Sequence, residues 1–141
     1  MSESKIAVVI LNWNGQKYLE QFLPSVIQNS GNARIVVADN ASTDNSIEFV
    51  KTNYPQIEIV INSENGGFAK GYNDAFKKID AEYYLLLNSD IEVTPNWLTP
   101  LLEQMNDPQV AGCQAKVKSF SNKNAFEHAG ASGGYLDKNY F

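Results

Sequence analysis

Polar clusters follow three apolar runs of the chain, and their residue types suit the binding of a nucleotide diphosphate. Trp13 offers an aromatic face to a planar ring, and Asp39 can accept a hydrogen bond from a base or a sugar hydroxyl. Asp90 is a lone carboxylate that can hold a hard divalent cation, with phosphates and waters as the other ligands. The complete clusters are Asn12-Trp13-Asn14, Asp39-Asn40 and Asn88-Ser89-Asp90.

A fourth polar element, Asn65-Gly66-Gly67, leads into a predicted helix. Backbone N–H groups at a helix start can bind an anion, because they have no partner within the helix. This element therefore adds a candidate phosphate contact to the three clusters.

Each of these residues also has a simpler interpretation. Asn88-Ser89-Asp90 has the composition of a turn that ends a strand, and Trp13 can plug the end of a sheet. Asp39 can cap the next helix, Lys70 can be a solvated helix residue, and Gly66-Gly67 can be a plain turn. For Ser42 and Asp44 we favour capping over ligand binding.

The elements that must position these residues alternate between strands and helices. The predicted fold class is therefore α/β: a Rossmann-like, mostly parallel sheet with helices on both faces. Apolar runs predict strands within residues 6–11, 34–38, 57–61, 84–87 and 110–117, with the run at 84–87 a buried central strand. If the first four strands lie in the order 3-2-1-4, the clusters line one crevice at their carboxyl ends.

Several helix boundaries can also be predicted. Asn14 is the expected N-cap of the first helix, and Pro24 should kink or split that helix. Thr94-Pro95 should begin the last helix.

Composition bounds the class of protein. The chain has 141 residues and 43% hydrophobic residues, enough for a domain with its own core. Its net charge of −5 argues against nucleic acid as a partner. No apolar run is long enough for stable membrane insertion. The chain has a single cysteine, which cannot form an internal disulfide, and its N-terminus lacks the features of a signal peptide. These two observations predict a cytoplasmic location.

Common nucleotide-binding and hydrolase motifs are missing from the sequence. The first strand is not followed by the Gly-x-Gly-x-x-Gly of dinucleotide dehydrogenases, and no P-loop or Gly-x-Ser-x-Gly elbow occurs. A sugar-nucleotide pyrophosphorylase would need a glycine-rich stretch with Arg and Lys at residues 12–15, and a receiver-like domain would need acidic residues there.

Four ordered blocks resemble the nucleotide-sugar-binding half of a family-two, GT-A-fold glycosyltransferase, nearest to the rhamnosyltransferase-like branch. The resemblance covers residues 6 to about 118. The blocks are VVILNWNG at 8–15, VVADNASTDNS at 36–46, NGGFAKGYN at 65–73 and LLLNSD at 85–90.

This resemblance implies an inverting transfer of a sugar from a nucleotide-diphosphate sugar to an acceptor hydroxyl. It also implies a divalent metal, Mn or Mg, a glycan or lipid-linked acceptor, and a place in polysaccharide biosynthesis. The implied nucleotide contacts are Asp39 with the base, the turn of Leu11, Asn12 and Trp13 packed on it, Gly66, Gly67 and Lys70 at the diphosphate, and Ser89 beside the metal ligand Asp90.

The sequence departs from the family pattern in two ways. Asn88 and Ser89 replace acidic residues common in the motif, which should weaken metal binding. The Glu-Asp pair that supplies the general base in the family is missing, and the spacing of Glu127 and His128 does not support them as a substitute.

We therefore expect the chain to be the donor-binding part of a glycosyltransferase. Residues 1–118 would form the nucleotide-sugar-binding domain, and residues 119–141 would begin an acceptor-side region that is cut short. Apolar surface exposed where the second half should pack predicts that the chain self-associates into a homo-oligomer. The competing hypothesis is a non-catalytic module that only binds nucleotide or sugar.

Overall fold

The computed structural model describes residues 5–127 and contains a four-stranded parallel sheet with intervening helices. The chain separates into two compact units, Met1–Pro95 and Asn96–Phe141. The first unit contains β1 (Ile6–Asn12), α1 (Gln16–Asn29), β2 (Arg34–Asp39), α2 (Ser46–Asn53), β3 (Glu58–Ile61), α3 (Gly67–Phe76) and β4 (Tyr83–Asn88). The second contains α4 (Leu98–Gln104).

The strands lie in the order β3-β2-β1-β4, which confirms the predicted order and the α/β fold class. The chain moves outward from β1 to β3 and then returns across the sheet to β4. Because parallel crossovers are right-handed, this reversal places α3 on the opposite face from α1 and α2. The reversal lies between β1 and β4, where an open parallel sheet forms its ligand crevice.

Apolar side chains of β1 pack on both faces of the sheet. Ala7 and Val9 belong to a buried cluster with Tyr72 and Ala75 of α3. Val8 and Ile10 are also buried and point to the other face, because successive side chains of a strand alternate. The buried side chains of α1 are Leu19, Phe22, Leu23 and Val26.

Tyr72 ties α3 to the sheet through its phenol group. The ring is buried, and the hydroxyl donates to the backbone oxygen of Leu87 at 2.8 Å. Burial raises the pKa of Tyr72 to about 12, although backbone hydrogen bonds oppose the shift. The phenol therefore stays a neutral donor over the ordinary pH range.

Two predictions about strands are wrong. β4 is not a buried central strand in the described part of the chain: it pairs only with β1, its side chain at Leu87 is buried, and Leu86 is 51% exposed. Residues 110–117 form no strand, and nearly all of them are exposed. The pairing described beside them is an isolated antiparallel bridge between Lys118 and Phe126, so the apolar run has no sheet to join.

Three predictions about helix boundaries also need correction. α4 begins at Leu98 rather than at Thr94-Pro95, because Asn96 has a φ of 60° and interrupts any earlier helix. The N-cap of α1 is Gly15, not Asn14. Pro24 lies inside α1 and does not split it.

The predicted boundary at residue 118 stays a prediction. Of the acceptor-side region expected at 119–141, residues 128–141, including His128, lie outside the described part of the chain.

Tyr72→Phe should lower the free energy of unfolding by about 1–2 kcal/mol, because the buried oxygen of Leu87 loses its donor while packing changes little. Urea denaturation followed by circular dichroism measures the change. Tyr18→Phe, on the exposed side of α1, is the matched control and should leave stability unchanged. Equal stability of the two variants would contradict the anchoring role of the phenol.

Candidate functional site

The carboxyl ends of β1, β2 and β4 lie side by side at one edge of the sheet. Asn12 at the end of β1 is in register with Asp39 at the end of β2. On the other side of β1, Leu11 is in register with Asn88 at the end of β4. The three polar clusters identified in the sequence are therefore neighbours.

Asp39 is 1% exposed, and both of its carboxylate oxygens accept hydrogen bonds. Asn12 Nδ2 donates to Oδ1 at 3.1 Å, and the backbone N–H of Ser42 donates to Oδ2 at 2.8 Å. Asp39 is not the N-cap of α2, which begins at Ser46 after the cap residue Asn45. The carboxylate instead holds the strand end and the following loop together.

Asn12 connects the end of β1 to this carboxylate and to the loop after β2. Its side chain is fully buried, and Nδ2 also donates to the hydroxyl of Ser42 at 3.2 Å. Its Oδ1 is buried, has no hydrogen-bond partner within the described part of the chain, and faces Gly15. A Cβ at Gly15 would lie 2.5 Å from that oxygen and 3.4 Å from Oγ of Ser89, so only glycine fits between the two ends.

Trp13 is 56% exposed, so the hypothesis that it plugs the end of the sheet is wrong. Leu11, two residues earlier, is half-buried and packs against the apolar cluster of α3. An exposed indole beside a buried carboxylate leaves a flat apolar face open to a ligand. Stacking on a base stays a prediction.

The turn before α3 contains the two glycines identified in the sequence. Gly67 has a φ of 77°, a conformation that glycine adopts without strain, and its N–H donates to Oδ1 of Asn65 at 3.0 Å. Gly66 N–H donates to the backbone oxygen of Glu64 at 3.1 Å. Asn40, directly after β2, donates to Oδ1 of Asn65 and to the backbone oxygen of Gly67, so the helix start lies beside this strand end. The first of its N–H groups is already bonded to Asn65.

Lys70 is an exposed residue of α3 that carries two ion pairs. Its Nζ lies 2.6 Å from Asp74 and 3.1 Å from Glu64. The hydrogen bonds to Asp74 and then to Glu64 raise the pKa of Lys70, so the ammonium stays charged. The hydrogen bonds from Lys70 and Lys77 lower the pKa of Asp74 to about 2. An incoming phosphate must compete with these carboxylates for Lys70.

The three residues after Leu87, among them the predicted metal ligand Asp90, offer oxygen donors. Asp90 is exposed, Ser89 is half-buried and Asn88 is exposed, so one carboxylate, one hydroxyl and one amide oxygen follow one another at the end of β4. In the described part of the chain no three acidic, His or Cys side chains cluster as a metal site. The donor set fits Mg²⁺ or Mn²⁺ held by one carboxylate together with substrate phosphates, but not a cage made by protein alone.

In the loop after β2, Asp44 caps helix starts as predicted. Ser42 does not, because its hydroxyl accepts from Asn12 Nδ2 and from the N–H of Asn14, which lies before α1. Asp44 Oδ2 accepts from the backbone N–H of Gln16 at 3.1 Å, and its Oδ1 accepts from the backbone and hydroxyl of Ser46. One carboxylate therefore caps the first residues of both α1 and α2. Burial acts to raise the pKa of Asp44, but the hydrogen bonds from Ser46 and Gln16 outweigh it and lower the pKa below its usual value.

Three asparagines have structural roles that the sequence analysis did not assign: they connect the edge to α3 and to the capping loop. Asn40 and Asn62 are buried at the ends of β2 and β3, and their amides bond to each other at 3.2 Å. Asn14 Oδ1 accepts from the N–H of Thr43 at 2.7 Å, so it belongs to this loop rather than to a cap of α1. Asparagines placed just after strands were the available signal, since a buried amide there must find partners.

Comparison with known proteins identifies the class. The sequence profile of "Glycosyl transferase family 2" matches residues 7–139. The chain therefore belongs to glycosyl transferase family 2.

Particular relatives agree with this assignment. The chain is 28% identical over 120 residues to the uncharacterized glycosyltransferase YibD of Escherichia coli, covering 81% of this chain and 35% of the relative. It is 26% identical over 92 residues to the poly(ribitol-phosphate) beta-N-acetylglucosaminyltransferase TarS of Staphylococcus aureus, covering 61% of this chain and 16% of TarS. The chain thus spans about a third of the length of YibD, and less of TarS.

Solved structures share the fold. The mannosyltransferase PcManGT of Pyrobaculum calidifontis, in complex with GDP-Man and Mn²⁺, superimposes with a TM-score of 0.66 at 21% identity, over 75% of this chain and 33% of PcManGT. Residues 1–349 of S. aureus TarS, in complex with UDP-GlcNAc, give a TM-score of 0.61 at 24% identity, over 73% of this chain and 31% of that TarS portion. Across the residues that can be described, no helix has the length and apolar character needed to cross a membrane.

Asp44→Ala should lower the free energy of unfolding at neutral pH by about 1 kcal/mol, because two helix starts lose their acceptor. The folded pKa of Asp44 is lower than its ordinary value of 3.8, so the carboxylate stabilises the fold above that pH. The stabilisation is lost as the pH falls through the folded pKa.

Urea denaturation at a series of pH values measures this effect. The gap between wild type and Asp44→Ala should narrow as the pH falls below 3.8. Asp80→Ala, an exposed aspartate before β4, is the control and should show no comparable gap. A gap independent of pH would contradict the role of the ionised carboxylate.

Proposed function

We propose that this chain is the donor-binding part of an inverting glycosyltransferase that uses a nucleotide-diphosphate sugar. The observation that carries the proposal is the register that brings Asn12 beside Asp39 and Leu11 beside Asn88 in a family 2 chain. This edge of the sheet has an exposed aromatic ring, Trp13, after β1 and an exposed carboxylate, Asp90, after β4. Those are the two ends that a nucleotide diphosphate needs.

The base would bind at the β1–β2 side of the crevice. Trp13 is exposed and would stack on the base, with Leu11 and Asn12 shaping the turn beneath it. Asp39 accepts one hydrogen bond on each oxygen, which leaves lone pairs that a base N–H can use. Because the carboxylate is fixed by Asn12 and Ser42, it would be oriented before the ligand arrives.

The diphosphate would bind between the start of α3 and the end of β4. Backbone N–H groups after Gly66 and Gly67 and the ammonium of Lys70 supply positive charge there. Asp90, with Ser89 beside it, would hold the divalent metal that neutralises charge on the leaving nucleotide diphosphate. PcManGT in complex with GDP-Man and Mn²⁺ supports a metal of this kind.

Other parts of the proposal rest on the family resemblance. They include the rhamnosyltransferase-like branch, the glycan or lipid-linked acceptor and polysaccharide biosynthesis. The proposed cytoplasmic location rests on the single cysteine and the lack of a signal peptide, and the proposed self-association rests on exposed apolar surface. Size-exclusion chromatography tests the last of these, since a clean monomer would contradict it.

Isothermal titration of UDP, dTDP and GDP, with and without Mn²⁺, tests the donor site. One nucleotide should bind in a metal-dependent way, and Asp90→Ala should weaken that binding about ten-fold or more, because the metal loses its carboxylate. Asp80→Ala, at the opposite end of β4, is the matched control and should bind like wild type. Metal-independent binding that Asp90→Ala leaves unchanged would contradict the assignment of Asp90.

The chain alone should turn over donor and acceptor poorly, because the family's general base is missing from the sequence. A coupled assay for nucleotide diphosphate release measures turnover. Rapid transfer by this chain, abolished by Asp90→Ala, would contradict the prediction that the base lies elsewhere. Nucleotide binding without transfer in a longer chain that restores the second half would favour the non-catalytic module.

A further inference from the structure

We propose that Asn40 is a positioning residue for the diphosphate half of the donor. It fixes the Gly66-Gly67 turn at the start of α3 relative to Asp39 at the base side. The inference rests on the proposed function, because it assigns a role within that donor site. Asn40 would act through the turn and would not touch the ligand itself.

Asn40 is tied to the sheet by its backbone. It directly follows Asp39, and its N–H donates to the backbone oxygen of Asn12 at 2.8 Å. This bond continues the β1–β2 pairing one residue past the strand end. The residue is 2% exposed, so its side chain begins from a fixed and buried point.

The amide of Asn40 is tied to the turn before α3. Its Nδ2 donates to Oδ1 of Asn65 at 2.8 Å and to the backbone oxygen of Gly67 at 3.1 Å. Oδ1 of Asn65 also accepts the N–H of Gly67, which closes a small ring of hydrogen bonds around the turn. Both donors of Asn40 are therefore used on the one segment.

The acceptor side of the same amide is held from β3. Asn62 Nδ2 donates to Oδ1 of Asn40 at 3.2 Å and to the backbone oxygen of Gly71 at 2.9 Å. Asn62 N–H donates to the backbone oxygen of Asp39 at 2.8 Å. The amide of Asn40 is thus satisfied on every side, which fixes its orientation.

Gly71 shows how closely α3 packs on this amide. A Cβ at Gly71 would lie 3.0–3.1 Å from the Nδ2, Oδ1 and Cγ atoms of Asn40, closer than ordinary contact. The helix can approach Asn40 only because residue 71 has no side chain. α3 and the Asn40 amide are therefore packed too closely to shift independently.

The turn needs this support because Gly67, with a φ of 77°, can adopt many other conformations. Without Asn40 the N–H groups at the helix start would be spread over these conformations, and a bound phosphate would have to order them. That cost falls on the second phosphate and not on the base, since the Asp39 carboxylate is held separately by Asn12 and Ser42. Loss of the Asn40 amide should therefore reduce the gain in affinity that the second phosphate provides.

Isothermal titration measures this contribution. The ligands are the monophosphate and the diphosphate of the nucleoside whose base binds, and the measured quantity is the affinity for the diphosphate divided by the affinity for the monophosphate. Asn40→Ala should weaken diphosphate binding about ten-fold while monophosphate binding stays within about two-fold. Asn53→Ala removes an exposed asparagine of α2 whose Nδ2 donates to the oxygen of Phe49, and it should keep the wild-type ratio.

Gly71→Ala provides a second test, because it keeps Asn40 but displaces its amide, and it should lower the same ratio. This variant decides the question if circular dichroism shows that Asn40→Ala is unfolded. An equal loss of both nucleotides, or an unchanged ratio, would overturn the positioning role. A wild-type chain that binds no nucleotide would overturn the proposed function, and this inference with it.

Discussion

The hydrogen bond between Asn12 and Asp39 is the constraint on which the carboxyl edge of the sheet depends. A carboxylate that is 1% exposed, with no cation bonded to it among residues 5–127, must be solvated by the protein itself. Asn12 and the loop residue Ser42 provide that solvation, so the strand ends and the loop cannot move independently. Gly15 follows from the same constraint, because only a residue without a side chain leaves space for the amide oxygen of Asn12.

Much of the fold could be predicted because its signals are local or depend on alternation. The apolar runs of β1 and β2 and the helical spacing of α1 and α3 each identify an element without knowledge of its neighbours. The errors arose where an element depends on distant residues or on one backbone angle. An apolar run becomes a strand only if a partner is available, and residues 110–117 have none among the described strands. The capping rule that favoured Thr94-Pro95 does not take the φ of 60° at Asn96 into account, and this angle makes α4 begin later, at Leu98.

The candidate site could be predicted at the level of strand ends but not of side-chain partners. Because parallel strands present their carboxyl ends at one edge, the sequence was enough to bring Asn12, Asp39 and Asn88 together. It was not enough to show that Asp39 is buried and already bonded, or that Lys70 is paired with two carboxylates. Those facts depend on which rotamers pack against which loops, and residue type alone does not specify this.

The charge distribution explains why a site of this design would use neutral donors and an added cation. The chain has a net charge of −5, and a diphosphate adds further negative charge to its surroundings. Lys70 offers little uncompensated charge, because Glu64 and Asp74 lie within 3.1 Å of its ammonium. Backbone N–H groups at the start of α3 attract an anion without any change in net charge. A divalent ion at Asp90 would neutralise the rest, since it brings two positive charges to a single carboxylate. In the proposed site, the hydrogen-bonded turn before α3 and the exposed Asp90 would therefore be complementary features of one electrostatic arrangement.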